Sequence, residues 1–263
     1  MSELEFVDRI ADVPVVGAVE REVLTELLAG LLPEHSISCP LSMSALLLAA
    51  PQLDDVRKAL QPPSGLSVVH ETQRFVRDAP DASGVFVSLE VLRQRIGHTA
   101  RFVFRTAGGE VNASEMETRL RFIEPSQMLA LKGAQFSDRL SGDGAVVFST
   151  DVINRSAVQR YVSLAKDDNP IHVSDASARQ AGLSKAVVPG MLLCALSESY
   201  FGSVSGGTAR EMKTRFMAAV PVEEPVKLVA KSRGPEGSEW AQARVICVGA
   251  DNVIAAISDI RAF

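Results

Sequence analysis

Within six residues the chain places two acids, an amide, a proline and a histidine, Asp167-Asp168-Asn169-Pro170-Ile171-His172. Eighteen residues past the histidine, Pro189-Gly190-Met191 opens an apolar stretch. Pro170 pushes Asn169 out of helical geometry, so the cluster must be a turn. Asp and Asn favour such turns because their side chains bond nearby backbone, and a plain helix exit would use the same residues. A turn also lets Asp167 and His172 face one water molecule. A histidine titrates near neutrality, and a carboxylate beside it fixes its tautomer and raises its basicity. Gly190 falls in the first turn of an expected helix, where backbone N–H groups are free and the helix dipole is positive. Such a donor can hold a developing oxyanion, an interaction whose loss costs about 3 kcal/mol. Acid, base and oxyanion donor together can add water to a polarised double bond or, less specifically, hydrolyse an ester.

The elements that hold these residues follow from pattern and punctuation. A helix capped by Ser156 runs through Ala165 into the turn. Asp175 starts a short helix that Gly182 ends in a left-handed cap. Gly190 opens a longer helix to about Phe201, and four strand-like stretches follow near 209–220, 225–233, 240–249 and 252–262. Residues 1–60 read mainly as helical, with an amphipathic segment from Ala18 to Leu32 and an apolar one from Met43 to Ala50. Gln61-Pro62-Pro63-Ser64-Gly65 is a break. From Leu66 to Glu124 the texture is of antiparallel strands, with turns at Asp78–Asp81 and Ala107–Gly109; the spacing is too tight for helical crossovers.

The two halves share a plan. Arg74-Phe75 followed by Pro80 matches Arg215-Phe216 followed by Pro221 at an offset of 141, and the same offset carries Phe122 onto Phe263. The shared order of elements supports a duplicated α+β unit. The cluster itself is not duplicated, since Glu26, Leu31 and Ala49 stand where Asp167, His172 and Gly190 would be.

Composition narrows the function classes. The net charge of −5 repels nucleic acid and anionic membrane surfaces. No apolar run approaches the roughly 20 residues of a membrane span, and the acidic N-terminus does not resemble a signal peptide. A cytoplasmic location is therefore expected. Cys39, Cys194 and Cys247 are too scattered for a metal site or a disulfide framework, and no metal or cofactor is expected. Arg210, Lys213 and Arg215 read either as a solvated sheet face or as a basic patch for the phosphates of a ligand or for an acidic partner protein. Exposed sheet edges leave a homodimer open.

Tyr161, Asp167, Asn169-Pro170-Ile171-His172 and Gly190-Met191-Leu192, at these spacings, resemble the MaoC-like, or (R)-specific, enoyl-CoA hydratases. The resemblance covers about 145–263. It implies a hot-dog fold, a sheet wrapped around a central helix, with 1–130 as a degenerate first unit, 131–144 as linker and 145–263 as the unit carrying the site. Two tandem hot-dog units would form an intramolecular pseudo-dimer. The resemblance further implies that His172 is the general base and that Asp167 orients the water and shuttles a proton. Gly190 N–H would donate to the thioester oxygen. Asn169 would brace the loop, with Met191, Lys213 and Arg215 completing the substrate-binding set. The implied reaction is reversible hydration of a trans-2-enoyl thioester, on CoA or acyl carrier protein, to the (3R)-hydroxyacyl thioester. A hot-dog thioesterase using Asp167, or a non-catalytic acyl-thioester-binding protein, is the alternative. The chain departs from the family pattern in Pro189, where histidine is common, and in Lys166, where glycine is common.

Overall fold

The computed structural model describes residues 3–7, 16–79, 85–94, 97–105, 112–234 and 239–263. The strands are β1 (Glu3–Val7), β2 (Ser67–Arg77), β3 (Val85–Gln94), β4 (Gly97–Arg105), β5 (Asn112–Ile123), β6 (Val146–Ser149), β7 (Ala209–Phe216), β8 (Lys227–Ser232), β9 (Gln242–Val248) and β10 (Ile254–Ala262). They form one antiparallel sheet in the order β1-β3-β4-β5-β2-β7-β10-β9-β8-β6. Among the described residues five strands come from each half of the chain, and the halves join at β2 and β7. Read outward from that junction, the two sets of five follow the same relative chain order. At the junction Gln73 lies opposite Thr214, two positions separated by the repeat offset of 141.

The helices are α1 (Ala18–Leu31), α2 (Asp54–Ala59), α3 (Pro125–Ala130), α4 (Asp138–Ser141), α5 (Arg155–Ala165), α6 (Asp175–Gln180) and α7 (Gly190–Ser205). In α1 a stripe at Leu24, Leu27, Leu28 and Leu31 is buried, the ordinary amphipathic case. In α7 ten consecutive residues, Leu192–Phe201, are buried whatever their face. A helix covered all round belongs at the centre of a domain; α7 has β7 to β10 on one side, with α1 and the segment 42–49 also against it. No described helix is long and apolar enough to cross a membrane.

The structure departs from the sequence reading in several places. Residues 1–60 are not all helix and loop, since β1 pairs with β3. The apolar segment near 43–50 is a 3-10 run, Ser42–Ala49, so no long α-helix stands there as α7 does in the second half. The α5 cap is Asn154, whose side chain accepts from Ala157 N–H at 2.8 Å, rather than Ser156. The turn expected at Asp78–Asp81 lies partly, and that at Ala107–Gly109 wholly, outside the described residues. The connector between the halves is docked. Phe136 is buried against Val229, Ile246, Val248 and Ile254, and Ile254 N–H donates to Ala134 O at 2.9 Å.

Candidate active site

The turn after α5 is built by its backbone. Lys166, the last cap of α5, adopts φ 46°, ψ 46°, and its N–H and that of Asp167 both return to Val162 O. That left-handed conformation favours glycine, because a Cβ costs about 1 kcal/mol there. Lys166→Gly is therefore expected to stabilise the fold by about 0.5–1 kcal/mol, read from urea unfolding midpoints. No ion pair joins Lys166 to Asp167 among the described residues.

Past the cap, Asp167 Oδ1 accepts from Asn169 N–H at 3.1 Å, and Asn169 Oδ1 accepts from Ile171 N–H at 3.4 Å. These bonds, with Pro170, shape the single 3-10 turn Pro170–His172. The Asn169 side chain thus caps that turn. Ile171 O then accepts from Val187 N–H at 3.1 Å, and His172 Nδ1 lies 2.8 Å from Val187 O. Val187 is two residues from Pro189, so the turn is fastened directly to the lead-in of α7.

The Val187 bond also fixes the imidazole. A carbonyl oxygen can only accept, so Nδ1 carries the hydrogen, and in the neutral ring Nε2 presents a lone pair. Nε2 is 3.5 Å from Asp167 Oδ2. The two atoms are thus adjacent acceptors, which one water molecule can bridge with its two hydrogens. His172 is nearly buried and Asp167 half-buried.

Gly190 is the first residue of α7, with Pro189 as its cap. No acceptor takes the Gly190 N–H among the described residues, as expected for a first-turn amide. Proline at 189 removes only its own N–H. A Cβ at Gly190 would come within 2.9 Å of the Phe216 ring, so glycine here admits that ring as well as leaving the amide open.

Asp167, Asn169, His172, Gly190 and Met191 all line one cavity of about 370 Å³, within the range of small-molecule sites. Its far wall comes from the first half of the chain, including Ala45, Leu48, Leu60, Met116 and Leu120. Tyr161 also lines it, buried, with its hydroxyl pushed well above the ordinary phenol range by burial and then by the Cys194 and Asp167 charges. Two cationic side chains, Arg57 and Lys166, are on its wall, and Arg57 is tied to Asp54 and to the Leu48 and Ala50 carbonyls. Lys213 and Arg215 do not join them. On β7 the buried Met212 and Thr214 alternate with them, so both point from the opposite, exposed face, where Arg215 meets Asp259 at 3.7 Å. Alternation gave their shared face but not which side of the sheet it was.

Sequence reasoning missed three groups. The Val187 carbonyl carries no side-chain signal. His70 lines the cavity beside Gln73 and Thr118. Glu198 is 1% exposed inside α7.

Residues 143–252 match the family model described as a MaoC like domain. No curated protein sequence matches the chain. Among solved structures the chain is similar to a MaoC-like dehydratase, with 16% identity over 98% of this chain and 97% of that one and a TM-score of 0.64. It is also similar to HtdX of Mycobacterium tuberculosis, with 15% identity over 99% and 100% and a TM-score of 0.63. A third similarity is to the full-length peroxisomal multifunctional enzyme type 2 of Drosophila melanogaster, at 13% identity over 97% of this chain and 48% of that one, TM-score 0.63. At such identities the likeness is one of fold, the hot-dog type expected from the motif, with an antiparallel sheet and few helices.

Proposed function

We propose, from the match of residues 143–252 to the MaoC like domain model, that the chain hydrates trans-2-enoyl thioesters to (3R)-hydroxyacyl thioesters, or runs the reverse dehydration. The observation that carries this reading is the juxtaposition of His172 Nε2 and Asp167 Oδ2 at 3.5 Å in the cavity that Gly190 also lines. Water held by the pair attacks C3 of the enoyl group while His172 Nε2 takes one of its protons. Charge moves to the thioester oxygen, which accepts from Gly190 N–H at the positive end of α7. Asp167 Oδ2 relays that same proton from His172 Nε2 to C2, so that H and OH from one water have been added across the double bond, His172 is neutral again and the thioester is intact. CoA and an acyl carrier protein are both compatible carriers.

We read the two sets of five strands as two hot-dog units, with 131–144 between them and the first unit degenerate: it lacks both the acid–histidine turn and a long central helix. Its apolar wall then serves the acyl chain. Leu48→Trp is expected to lower the ratio of kcat/KM on a long enoyl-CoA to that on crotonyl-CoA by about ten-fold or more. An unchanged ratio would show that the chain lies elsewhere.

The test of the reading is loss of the enoyl-thioester absorbance of crotonyl-CoA and of a longer enoyl-CoA on adding protein, with free thiol measured in parallel. Hydration consumes the double bond and releases no thiol. Thiol release from saturated acyl-CoA would mark a thioesterase, and tight acyl-CoA binding without either change a binding protein.

A further inference from the structure

The cavity holds a second polar group that the hydration chemistry does not use. His70 Nε2 lies 3.1 Å from Gln73 Oε1, and Thr118 Oγ1 donates to the same oxygen at 2.7 Å. Gln73 is fully buried, whereas His70 and Thr118 are half-buried and open on the cavity. Residues 70 and 73 would point to opposite faces of a regular strand. They share a face because the β2–β5 register slips at Glu71, a bulge that turns His70 inward. The bulged residue is held on the outer side by ion pairs to Arg119 at 3.0 Å and Arg121 at 2.9 Å.

Closing the sheet does not require this arrangement. Across the junction the matching inward positions, Thr214 and Ser258, are fully buried and satisfy each other at 2.8 Å. The His70 side instead opens onto the cavity among apolar neighbours, Val68, Met116 and Leu120. It is also close to the reaction centre, since the His70 ring is 4.5 Å from the Phe216 ring that packs on Gly190.

On the reading that the substrate is an acyl thioester, we infer that His70, Gln73 and Thr118 form a subsite for a hydroxyl group on the acyl chain. Thr118 gives its hydrogen to Gln73, so what it turns to a guest is oxygen lone pairs, and the guest must bring a donor. A ketone or a plain methylene has none. The subsite is uncharged: burial pushes the His70 imidazole down to about 4, against weaker support from Gln73 and the Thr72 backbone. A neutral hydroxyl suits it, and a carboxylate or ammonium group does not.

The experiment is calorimetric binding of saturated acyl-CoAs of one length that carry a hydroxyl at successive carbons beyond C3, with the unsubstituted and keto analogues as references. This readout needs no turnover, so it is independent of whether the chain hydrates anything. One hydroxyl position is expected to bind about ten-fold or more tighter than both references. Thr118→Val, nearly isosteric, and His70→Leu are each expected to abolish that preference. Equal binding at all positions, a preference for the ketone, or a hydroxyl preference that survives both substitutions would overturn the subsite. Separately, absent hydration of every enoyl-CoA by the wild type would overturn the hydratase reading while leaving the binding result to decide the subsite.

Discussion

His172→Ala is expected to lower kcat/KM for enoyl-thioester hydration by about 10²–10⁴-fold, the usual worth of a positioned general base. In the proposed mechanism the base is Nε2, because Nδ1–H is committed to Val187 O at 2.8 Å. Alanine removes the lone pair that accepts the water proton and leaves Asp167 alone with the water. Asp167→Asn is expected to cost a similar factor for a different reason. The asparagine keeps an oxygen for the Asn169 N–H, but its amide nitrogen at the former Oδ2 position would donate to His172 Nε2 and occupy the lone pair. His172→Ala also loses the ring bond to Val187 O, worth about 1 kcal/mol, so its melting temperature should fall by only a few degrees, while Asp167→Asn should stay near wild type. A loss of activity with an intact fold is therefore the result to look for in paired kinetic and thermal measurements. Retention of more than about a tenth of wild-type kcat/KM in His172→Ala would assign the water chemistry to another group.

The second large effect concerns Glu198 and stability. Its carboxylate, inside α7, accepts from Leu41 N–H and Ser42 N–H at 2.8 Å each and from Ser42 Oγ at 2.6 Å, which pins the start of the 42–49 segment onto α7. Burial raises its pKa to about 7, only partly opposed by the Ser42 and Leu41 bonds and by the Arg77 charge. The thiols Cys39 and Cys194 also face it, and both are pushed up mainly by burial, so neither titrates in the same range. A raised carboxyl pKa means that the folded state binds a proton more tightly than the unfolded chain does. The resulting stability is present below the unfolded value of 4.5 and is lost as pH rises through about 7. Across that window the loss amounts to about 3 kcal/mol. Glu198→Gln removes the titration, so the difference in unfolding free energy between wild type and variant should move by that amount, against the wild type, from pH 5 to pH 8. Urea unfolding at a series of pH values measures it. A pH-independent difference would mean that Glu198 is charged throughout and fully compensated by its partners.

Much of the second half was legible because its signals are local. Pro170 dictates a turn wherever it stands, and Gly182 does adopt the left-handed φ of 88° expected of it. The apolar run after Gly190 gives α7, and the period-two stretches beyond it give β7 to β10. What stayed hidden depends on contacts between distant segments. The burial of Glu198 is set by residues 41 and 42, which α7 meets only in the folded chain. His70 faces inward through a bulge that no alternation rule reports. Lys213 and Arg215 could be placed on one face from spacing alone, but which face looks on the cavity is a property of the sheet. The 141-residue offset was more informative than its two sequence anchors, for it locates the opposed pair Gln73 and Thr214 at the junction of the two halves. The first half gave little warning that its helical portion would be short and broken. Its apolar residues 43–50 satisfy a helix pattern, but packing against α7 leaves them as a 3-10 run.

The most direct test of the proposed chemistry is hydration of an enoyl-CoA in ¹⁸O-labelled water, with the product resolved by chirality and weighed by mass. Stereospecific formation of the (3R)-hydroxyacyl-CoA, with one labelled oxygen at C3, no label in the thioester carbonyl and no free CoA, is the result expected of the wild type and absent in His172→Ala. Label entering a released carboxylate, a racemic product, or equal rates in the wild type and His172→Ala would contradict it.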